Sequence, residues 1–284
     1  MESRTQRPVI LNLCPTGMVP TRSMTPHVPI GPEEIVADVL ACAAVGITSV
    51  HIHAREPDGR PTSRRAVFAE IIAGIREVRS DVVIGVTTSG RTDPSLEPRS
   101  EVLRLDGDLR PDMASLTTGS LNFARAASVN APDVVRGLAE RMRDAGIKPE
   151  LEIFDLGMAR YVGYLVERGV LVPPLYAHLF FGNVATAHAE LTDMAAMVAA
   201  LPPDTVIGFG GIGRAQRPVT AAAVALGYGV RIGLEDNLYA DASRAVLATN
   251  VGLVNDVHTL AAFHERRPMD GHELRRHLGL VPVV

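Results

Sequence analysis

The sequence predicts an α/β protein that folds as a single (β/α)8 TIM barrel with an extra helix at its C-terminus. Its 284 residues suit that fold, which takes about 250 residues. Short β-branched runs alternate with longer, alanine-rich helical segments along the chain, a pattern typical of parallel strands joined by crossover helices. No linker or low-complexity tract divides the sequence. We therefore expect residues 1–284 to form one domain.

Eight β-branched or apolar runs account for the strands of such a barrel. With the helices between them they give units of about 35 residues, the size of one βα repeat. The segment Pro32–Val45 is a typical helix, because Pro32 suits the first turn and the two acids after it suit the positive end of the helix dipole. A second helix, Pro132–Ala145, ends before Gly146. An open, doubly wound sheet is the alternative. The predicted strands are Val9–Leu13, Thr48–His53, Val82–Thr87, Met113–Thr117, Leu151–Phe154, Leu175–Phe181, Thr205–Phe209 and Val230–Leu234.

The composition excludes several classes of function. A net charge of −4 gives no electrostatic reason to expect nucleic acid or an anionic membrane as a partner. Lys148 is the only lysine, so Schiff-base, pyridoxal phosphate or P-loop chemistry would have to use it, yet it precedes the fifth strand, at the end of the barrel opposite an active site.

The same composition predicts a cytoplasmic protein. Two cysteines, Cys14 and Cys42, are too few for a disulfide framework. The apolar run near the N-terminus is broken by Pro15 and is too short for a signal peptide. No stretch approaches the roughly 18 apolar residues of a membrane span.

Two histidines stand where the second strand ends, the level at which a barrel places its active site. His51 and His53 are two residues apart, so both imidazoles point to one face, about 6.5–7 Å apart along the backbone. Together they can bind one metal ion. Alternatively, one is an interior histidine with a hydrogen bond and the other is a chance neighbour.

A third ligand is available at the end of the eighth strand, in the run Arg231–Asn237. Alternate strands of a barrel contribute side chains to the same layer, so Glu235 can reach the level of the two histidines. Two histidines and one glutamate with an open fourth position are typical of a catalytic zinc site. Asp236 has the opposite strand parity, so it reaches the site only if the chain bends after Glu235.

Arg231 shares a strand face with Glu235, and we expect it to project inward beneath the metal. Its permanent charge could hold a carboxylate or stabilise an enolate. The structural alternatives are a buried ion pair for Arg231 and, for Glu235 and Asp236, a solvated loop pair or ion pairs with Arg55 or Arg231.

Glycines and hydroxyl groups mark three further strand ends. The run Gly208–Gly213 fits G-x-G-x-x-G but lies at the seventh strand, with too little chain after it for a dinucleotide-binding domain. We interpret Gly211, Gly213 and Arg214 as a cradle for a cofactor phosphate, with a plain tight turn as the alternative. The runs Thr87–Gly90 and Ser115–Ser120 suit a small carboxylate, although ordinary turn chemistry explains them equally well.

Taken together, these residues resemble the β-keto acid cleavage enzymes, also called 3-keto-5-aminohexanoate cleavage enzymes after one member. The resemblance covers nearly the whole chain, and its most specific parts are the His-x-His-x-Arg and Arg-x-Gly-x-Glu-Asp-Asn stretches. The matching segments are Cys14–Gly17, His51–Thr62, Thr87–Gly90, Ala114–Leu116 with Gly119 and Ser120, Pro149–Glu152 with Phe154 and Asp155, Gly211–Arg214 and Arg231–Asn237.

The resemblance implies a zinc-dependent (β/α)8 barrel, usually a homotetramer, that converts a β-keto acid and acetyl-CoA into acetoacetate and a new acyl-CoA. It implies Zn²⁺ as cofactor and acetyl-CoA as co-substrate. By position, the resemblance assigns zinc binding to His51, His53 and Glu235. It assigns C2 deprotonation and enolate stabilisation to Asp236 and Arg231. Substrate binding is expected at Thr87, Gly90, Ser115, Thr117 and Glu152, with Ser115 and Thr117 as alternatives.

The chain departs from the aminated-substrate member at one position. That member has a substrate-binding glutamate directly after its Gly-Ala, whereas this chain has Gly17, Met18 and Val19. We therefore expect a substrate without the matching positive charge. Two other functions stay open: a metal-dependent hydrolase or retro-aldolase that does not use CoA, and a non-catalytic barrel that senses or stores a keto acid.

Overall fold

Eight parallel strands close into a barrel in the computed structural model, which describes residues 4–280. Each strand pairs with its neighbours in chain order, and the last pairs with the first, so that Asn12 lies opposite Arg231. This closure confirms the predicted barrel over an open sheet. The strands are β1 (Leu11–Leu13), β2 (Ser49–Ile52), β3 (Val83–Val86), β4 (Met113–Thr117), β5 (Lys148–Ile153), β6 (Tyr176–Phe181), β7 (Val206–Gly211) and β8 (Gly229–Ile232).

Nine α-helices lie within residues 4–280, one after each strand and one more at the C-terminus. None of them is long and apolar enough to cross a membrane. They are α1 (Pro32–Val45), α2 (Arg65–Val78), α3 (Leu96–Arg99), α4 (Pro132–Asp144), α5 (Leu156–Glu167), α6 (Leu191–Ala200), α7 (Gln216–Ala225), α8 (Asn250–Phe263) and α9 (Gly271–Leu278).

The connection after β3 departs from the regular repeat. Helix α3 has only four residues and is followed by two single-turn 3-10 helices, Glu101–Arg104 and Gly107–Leu109. Gly107 and Pro111 interrupt this stretch of sequence, and both residues disfavour a continuous helix. The predicted helix Pro32–Val45 agrees with α1 at both ends.

The C-terminal helix α9 covers the amino end of the barrel. Leu274 and Leu278 pack against Ile10 and Tyr176 in a separate small apolar cluster. Lys148 begins β5 at this same end and donates a hydrogen bond from Nζ to the Pro174 carbonyl at 3.2 Å. The lone lysine therefore lies at the end opposite the carboxyl ends of the strands, as predicted.

Candidate active site

Three predicted metal ligands meet at the carboxyl end of the barrel. His51 is in β2, His53 follows that strand directly, and Glu235 follows β8. The Nε2 atoms of the two histidines are 3.3 Å apart, and His53 Nε2 is 3.2 Å from Glu235 Oε1. One donor atom from each residue lies within 4.8 Å of the others. Side chains from two strands far apart in sequence thus converge on one point.

The surroundings of these donor atoms fit a metal ion. His51 Nδ1 is 2.9 Å from a carboxylate oxygen of Glu150, which leaves the Nε2 lone pair facing His53 and Glu235. Burial lowers the pKa of His53 and so favours the neutral imidazole that binds metals. The Oε2 atom of Glu235 is buried and has no hydrogen-bond partner among residues 4–280. A cation at this point would satisfy all three groups.

Glu150 anchors His51 from inside the barrel and had no role in the sequence analysis. Its other oxygen lies 3.0 Å from His178 Nδ1 and 3.0 Å from Asn12 Nδ2, and Tyr176 OH lies 3.0 Å from His178 Nε2. Burial alone would raise the pKa of Glu150, but His51 and His178 outweigh it and hold that pKa well below its usual range. Glu150 is therefore a carboxylate that fixes the ring of His51.

Replacing Glu150 with glutamine should weaken metal binding by about 10- to 100-fold, the usual cost of losing a carboxylate behind a metal-binding histidine. The amide keeps the size of the side chain but not its charge. Competitive titration with a chelator measures this affinity. The matched control is Glu140→Gln, which changes an exposed acid on α4. Equal zinc affinity for the Glu150 variant and the wild-type protein would contradict the anchoring role.

The chain turns after β8 and brings two adjacent acids into the site. The strand ends at Ile232, two residues earlier than predicted, because Gly233 packs directly against the Cys14 backbone, where a Cβ would overlap the Cys14 carbonyl. The amide of Glu235 then bonds to that carbonyl at 3.2 Å. The bend that the sequence required for Asp236 is therefore present.

The loop after β1 packs closely against the turn that carries Glu235. Gly17 adopts φ +63°, and a Cβ there would overlap the side chain of Glu235. Arg55 holds the loop in place by donating hydrogen bonds to the carbonyls of Gly17, at 2.7 Å, and Pro20, at 3.1 Å. The arginine of the His-x-His-x-Arg stretch is thus a clamp on the loop and makes no ion pair with Glu235 or Asp236.

Arg231 lies fully buried beneath the predicted ligands and contacts both acids. Its guanidinium is 2.7 Å from Glu235 and 3.1 Å from Asp236, while Glu152 is 4.0 Å away. Burial alone would lower the pKa of Arg231, but Asp236 and its other negatively charged neighbours raise it well above the usual value. Arg231 therefore forms the buried ion pairs that the sequence analysis gave as the alternative, and one of its partners is Glu235, a predicted metal ligand.

Asp236 is the acid in this group whose environment favours a proton. Burial raises its pKa, and Glu235 raises it further, against the lowering effect of Arg231. The Cys14 thiol donates a hydrogen bond to Asp236 Oδ2 at 3.2 Å. The pKa of Cys14 is itself raised well above the usual value by burial. The pair therefore consists of a neutral thiol and a carboxylate able to accept a proton.

A cavity of about 250 Å³ opens over these residues. Thr117 Oγ1 donates to Glu152 Oε2 at 2.8 Å at its wall. Ser115 lies behind the wall, where its hydroxyl accepts from the Thr88 amide at 3.1 Å, and Gly90 packs against the guanidinium of Arg99. The lining residues include the predicted Thr87, Thr117, Glu152, Gly213, Arg231, Glu235, Asp236 and His53, together with Met18, Val19, Arg91, Phe123, Phe154 and Phe180.

The glycine run after β7 is engaged in local structure. The Gly213 amide donates to the Asp236 carbonyl at 2.7 Å, and the Ile212 amide to the Phe181 carbonyl at 2.9 Å. Gly211 lets helix α7 approach closely, since a Cβ there would meet Gln216. Arg214 donates to the Ala242 carbonyl at 3.1 Å. Of the three predicted phosphate-binding residues, Gly213 borders the cavity, and a phosphate cradle stays a prediction.

Comparison with known proteins identifies the family of this chain. A sequence model of the beta-keto acid cleavage enzymes matches residues 8–280. The chain belongs to the beta-keto acid cleavage enzyme family. One relative, the 3-oxoadipate:acetyl-CoA acetyltransferase of Cupriavidus necator, is 34% identical over 277 residues, which cover 96% of this chain and 95% of the relative. Another, the 3-keto-5-aminohexanoate cleavage enzyme of Fusobacterium nucleatum, is 31% identical over 275 residues, which cover 96% and 98%.

Solved structures agree with the fold of this family member. ObcA, solved as a ternary complex with a C4-CoA adduct and oxalate, superposes with a TM-score of 0.77 over 90% of this chain and 68% of its own, at 18% identity. This likeness shows the shared barrel. Family membership confirms the resemblance inferred from the motifs, and the names of the relatives bear out the predicted enzyme class, an acyltransferase that uses acetyl-CoA.

Proposed function

We propose that the protein is a zinc-dependent β-keto acid cleavage enzyme, which converts a β-keto acid and acetyl-CoA into acetoacetate and a new acyl-CoA. The convergence of His51, His53 and Glu235 with the Arg231–Asp236 pair at one cavity carries this proposal. A bound zinc ion would act there as a Lewis acid that polarises the keto and carboxylate oxygens and so acidifies the C2 proton.

Asp236 would remove that proton. Its carboxylate is at the cavity wall, its pKa is raised by burial, and a base with a raised pKa takes up a proton more readily. Arg231, 3.1 Å from Asp236, would stabilise the enolate oxygen and keep the base aligned. The apolar side chains of Phe154 and Phe180 line the same cavity and would limit the access of solvent protons to the enolate.

The carbon skeleton then exchanges in two steps. The C2 enolate attacks the acetyl carbonyl of acetyl-CoA, a C–C bond forms, and CoA leaves as a thiolate. The thiolate attacks the original keto carbon, and the C2–C3 bond breaks to give the new acyl-CoA and the enolate of acetoacetate. Asp236 returns its proton to C2. No lysine or cysteine nucleophile is needed.

Substrate contacts follow from the positions around the cavity. Thr87 and Thr117 would bind the keto acid directly, and Gly90 and Ser115 would shape the wall behind them. Glu152 is in reach of the same substrate. Gly211, Gly213 and Arg214 remain proposed contacts of the CoA phosphates. The homotetramer and the cytoplasmic location expected from the sequence also stay predictions.

A two-part measurement tests the function. Metal analysis of the purified protein should give one zinc per chain, and a panel of β-keto acids should yield acetoacetate when acetyl-CoA is present. Turnover that is unchanged when acetyl-CoA is omitted would favour the hydrolase or retro-aldolase instead. Zinc binding with no turnover of any acid would favour the keto acid sensor.

A further inference from the structure

An arginine that forms no ion pair within residues 4–280 lines the cavity. Arg91 follows β3 and is half-buried, with its guanidinium 3.7 Å from the centre of the Phe123 ring. No carboxylate lies within ion-pair distance of it among residues 4–280. Arg231, in contrast, has two acids within 3.1 Å and a third at 4.0 Å. Of the two guanidinium groups at this cavity, Arg91 is the one whose charge is left for a ligand.

A row of aromatic rings connects the two arginines. Arg231 lies 5.0 Å from the centre of the Phe180 ring, Phe180 stacks on Phe154 at 4.4 Å, and Phe154 meets Phe123 edge to face at 5.8 Å. The aromatic wall therefore runs from Arg231 and the predicted metal ligands, where the proposed keto acid would place its own carboxylate, to the guanidinium of Arg91. A ligand that fits this wall has a short carbon chain with a second anionic group at the Arg91 end.

Two further residues of the lining are compatible with the same ligand. Met18 and Val19 border the cavity, and neither can neutralise a positive charge. Partial burial lowers the pKa of Arg91 by disfavouring its charged form, so pairing with an anion would recover a real desolvation cost.

We propose that Arg91 binds a second anionic group of the substrate and makes the enzyme selective for β-keto dicarboxylic acids. This inference rests on the proposed function, because it assumes that a keto acid occupies the cavity. The phosphates of CoA are the other possible source of an anion. Arg91 lines the same cavity of about 250 Å³ as Glu235 and Asp236, so we assign it to the acid that would react there.

The test compares a charged and a neutral acid of equal chain length. With acetyl-CoA at saturation, kcat and KM are measured for 3-oxoadipate and 3-oxohexanoate in the wild-type enzyme, Arg91→Met and Arg91→Lys. Methionine keeps an unbranched apolar stem against Phe123, and lysine keeps the charge. The control is Arg125→Met, which removes an exposed arginine from the turn that joins the short antiparallel strands Leu121–Asn122 and Ala127–Ser128 and that also contains Phe123.

We expect Arg91→Met to lose about 10- to 100-fold in kcat/KM for 3-oxoadipate through KM, the usual effect of losing one charged hydrogen-bonded pair. For 3-oxohexanoate the loss should be at least fivefold smaller, and Arg91→Lys should recover part of the preference. An equal loss for both acids would assign Arg91 a purely structural role, and a selective rise in the KM of acetyl-CoA would assign it to CoA. Either result overturns the proposal.

A binding measurement separates this inference from the proposed function. If the wild-type enzyme turns over neither acid, the transferase function fails, and calorimetric titration with 3-oxoadipate alone still tests Arg91. Tighter binding of 3-oxoadipate than of 3-oxohexanoate, lost in Arg91→Met, would support the recognition of a diacid. Equal binding by both proteins would refute it.

Discussion

Replacing Asp236 with asparagine is expected to lower kcat by about 10²- to 10⁴-fold, the contribution typical of a general base. Asparagine keeps the shape and the contact with Arg231 but cannot take up the C2 proton. Proton exchange at C2 in the absence of acetyl-CoA tests the role of Asp236 as a base more directly. In D₂O without acetyl-CoA, the wild-type enzyme should exchange the C2 protons of a β-keto acid, as followed by NMR, and the variant should not.

Zinc content distinguishes this role from metal binding. Asp236→Asn should retain one zinc per chain, since the proposed ligands are His51, His53 and Glu235. Exchange at the wild-type rate in the variant would show that another group removes the proton. Loss of zinc together with exchange would instead place Asp236 among the ligands.

Removal of a proposed ligand should abolish both zinc binding and turnover. His53→Ala and Glu235→Gln each leave two of the three donors, and we expect substoichiometric zinc and an activity loss of more than about 10³-fold, since Lewis-acid stabilisation contributes several kcal/mol to the transition state. Atomic absorption and the acetoacetate assay measure the two effects.

The control for the ligand variants is His264→Ala, which changes an exposed histidine after α8. It should retain full zinc and full activity. Thermal unfolding checks that the ligand variants remain folded. A folded His53→Ala protein with wild-type zinc and activity would contradict the metal site.

The barrel could be predicted from the sequence because its signals are local. Eight apolar runs, each followed by a helical segment, favour a closed barrel over an open sheet, and Pro32 marks the start of α1 within the sequence itself. The end of β8 could not be placed, because the chain leaves the strand where Gly233 meets Cys14, and those two residues are far apart in sequence.

Part of the candidate site could be predicted from the sequence for the same reason. His51 and His53 could be recognised by their spacing of two residues at one strand. Glu150 and Glu152 have the same spacing, and this pattern could have identified Glu150 as the residue that anchors His51. The partner of Glu150, His178, comes from the next strand and shares no motif with it. The role proposed for Arg91 was missed because it depends on the lack of an ion pair with any acid within residues 4–280. No sequence motif encodes such a property.

The positions of the proposed ligands also bear on how the chain folds. His51 lies in β2 and Glu235 follows β8, and these two strands flank β1 on either side. The barrel closes at this seam, where the first and last parts of the chain must find each other after a long excursion. An ion held between β2 and β8 would bridge the seam, so metal binding would stabilise the closed form of the barrel.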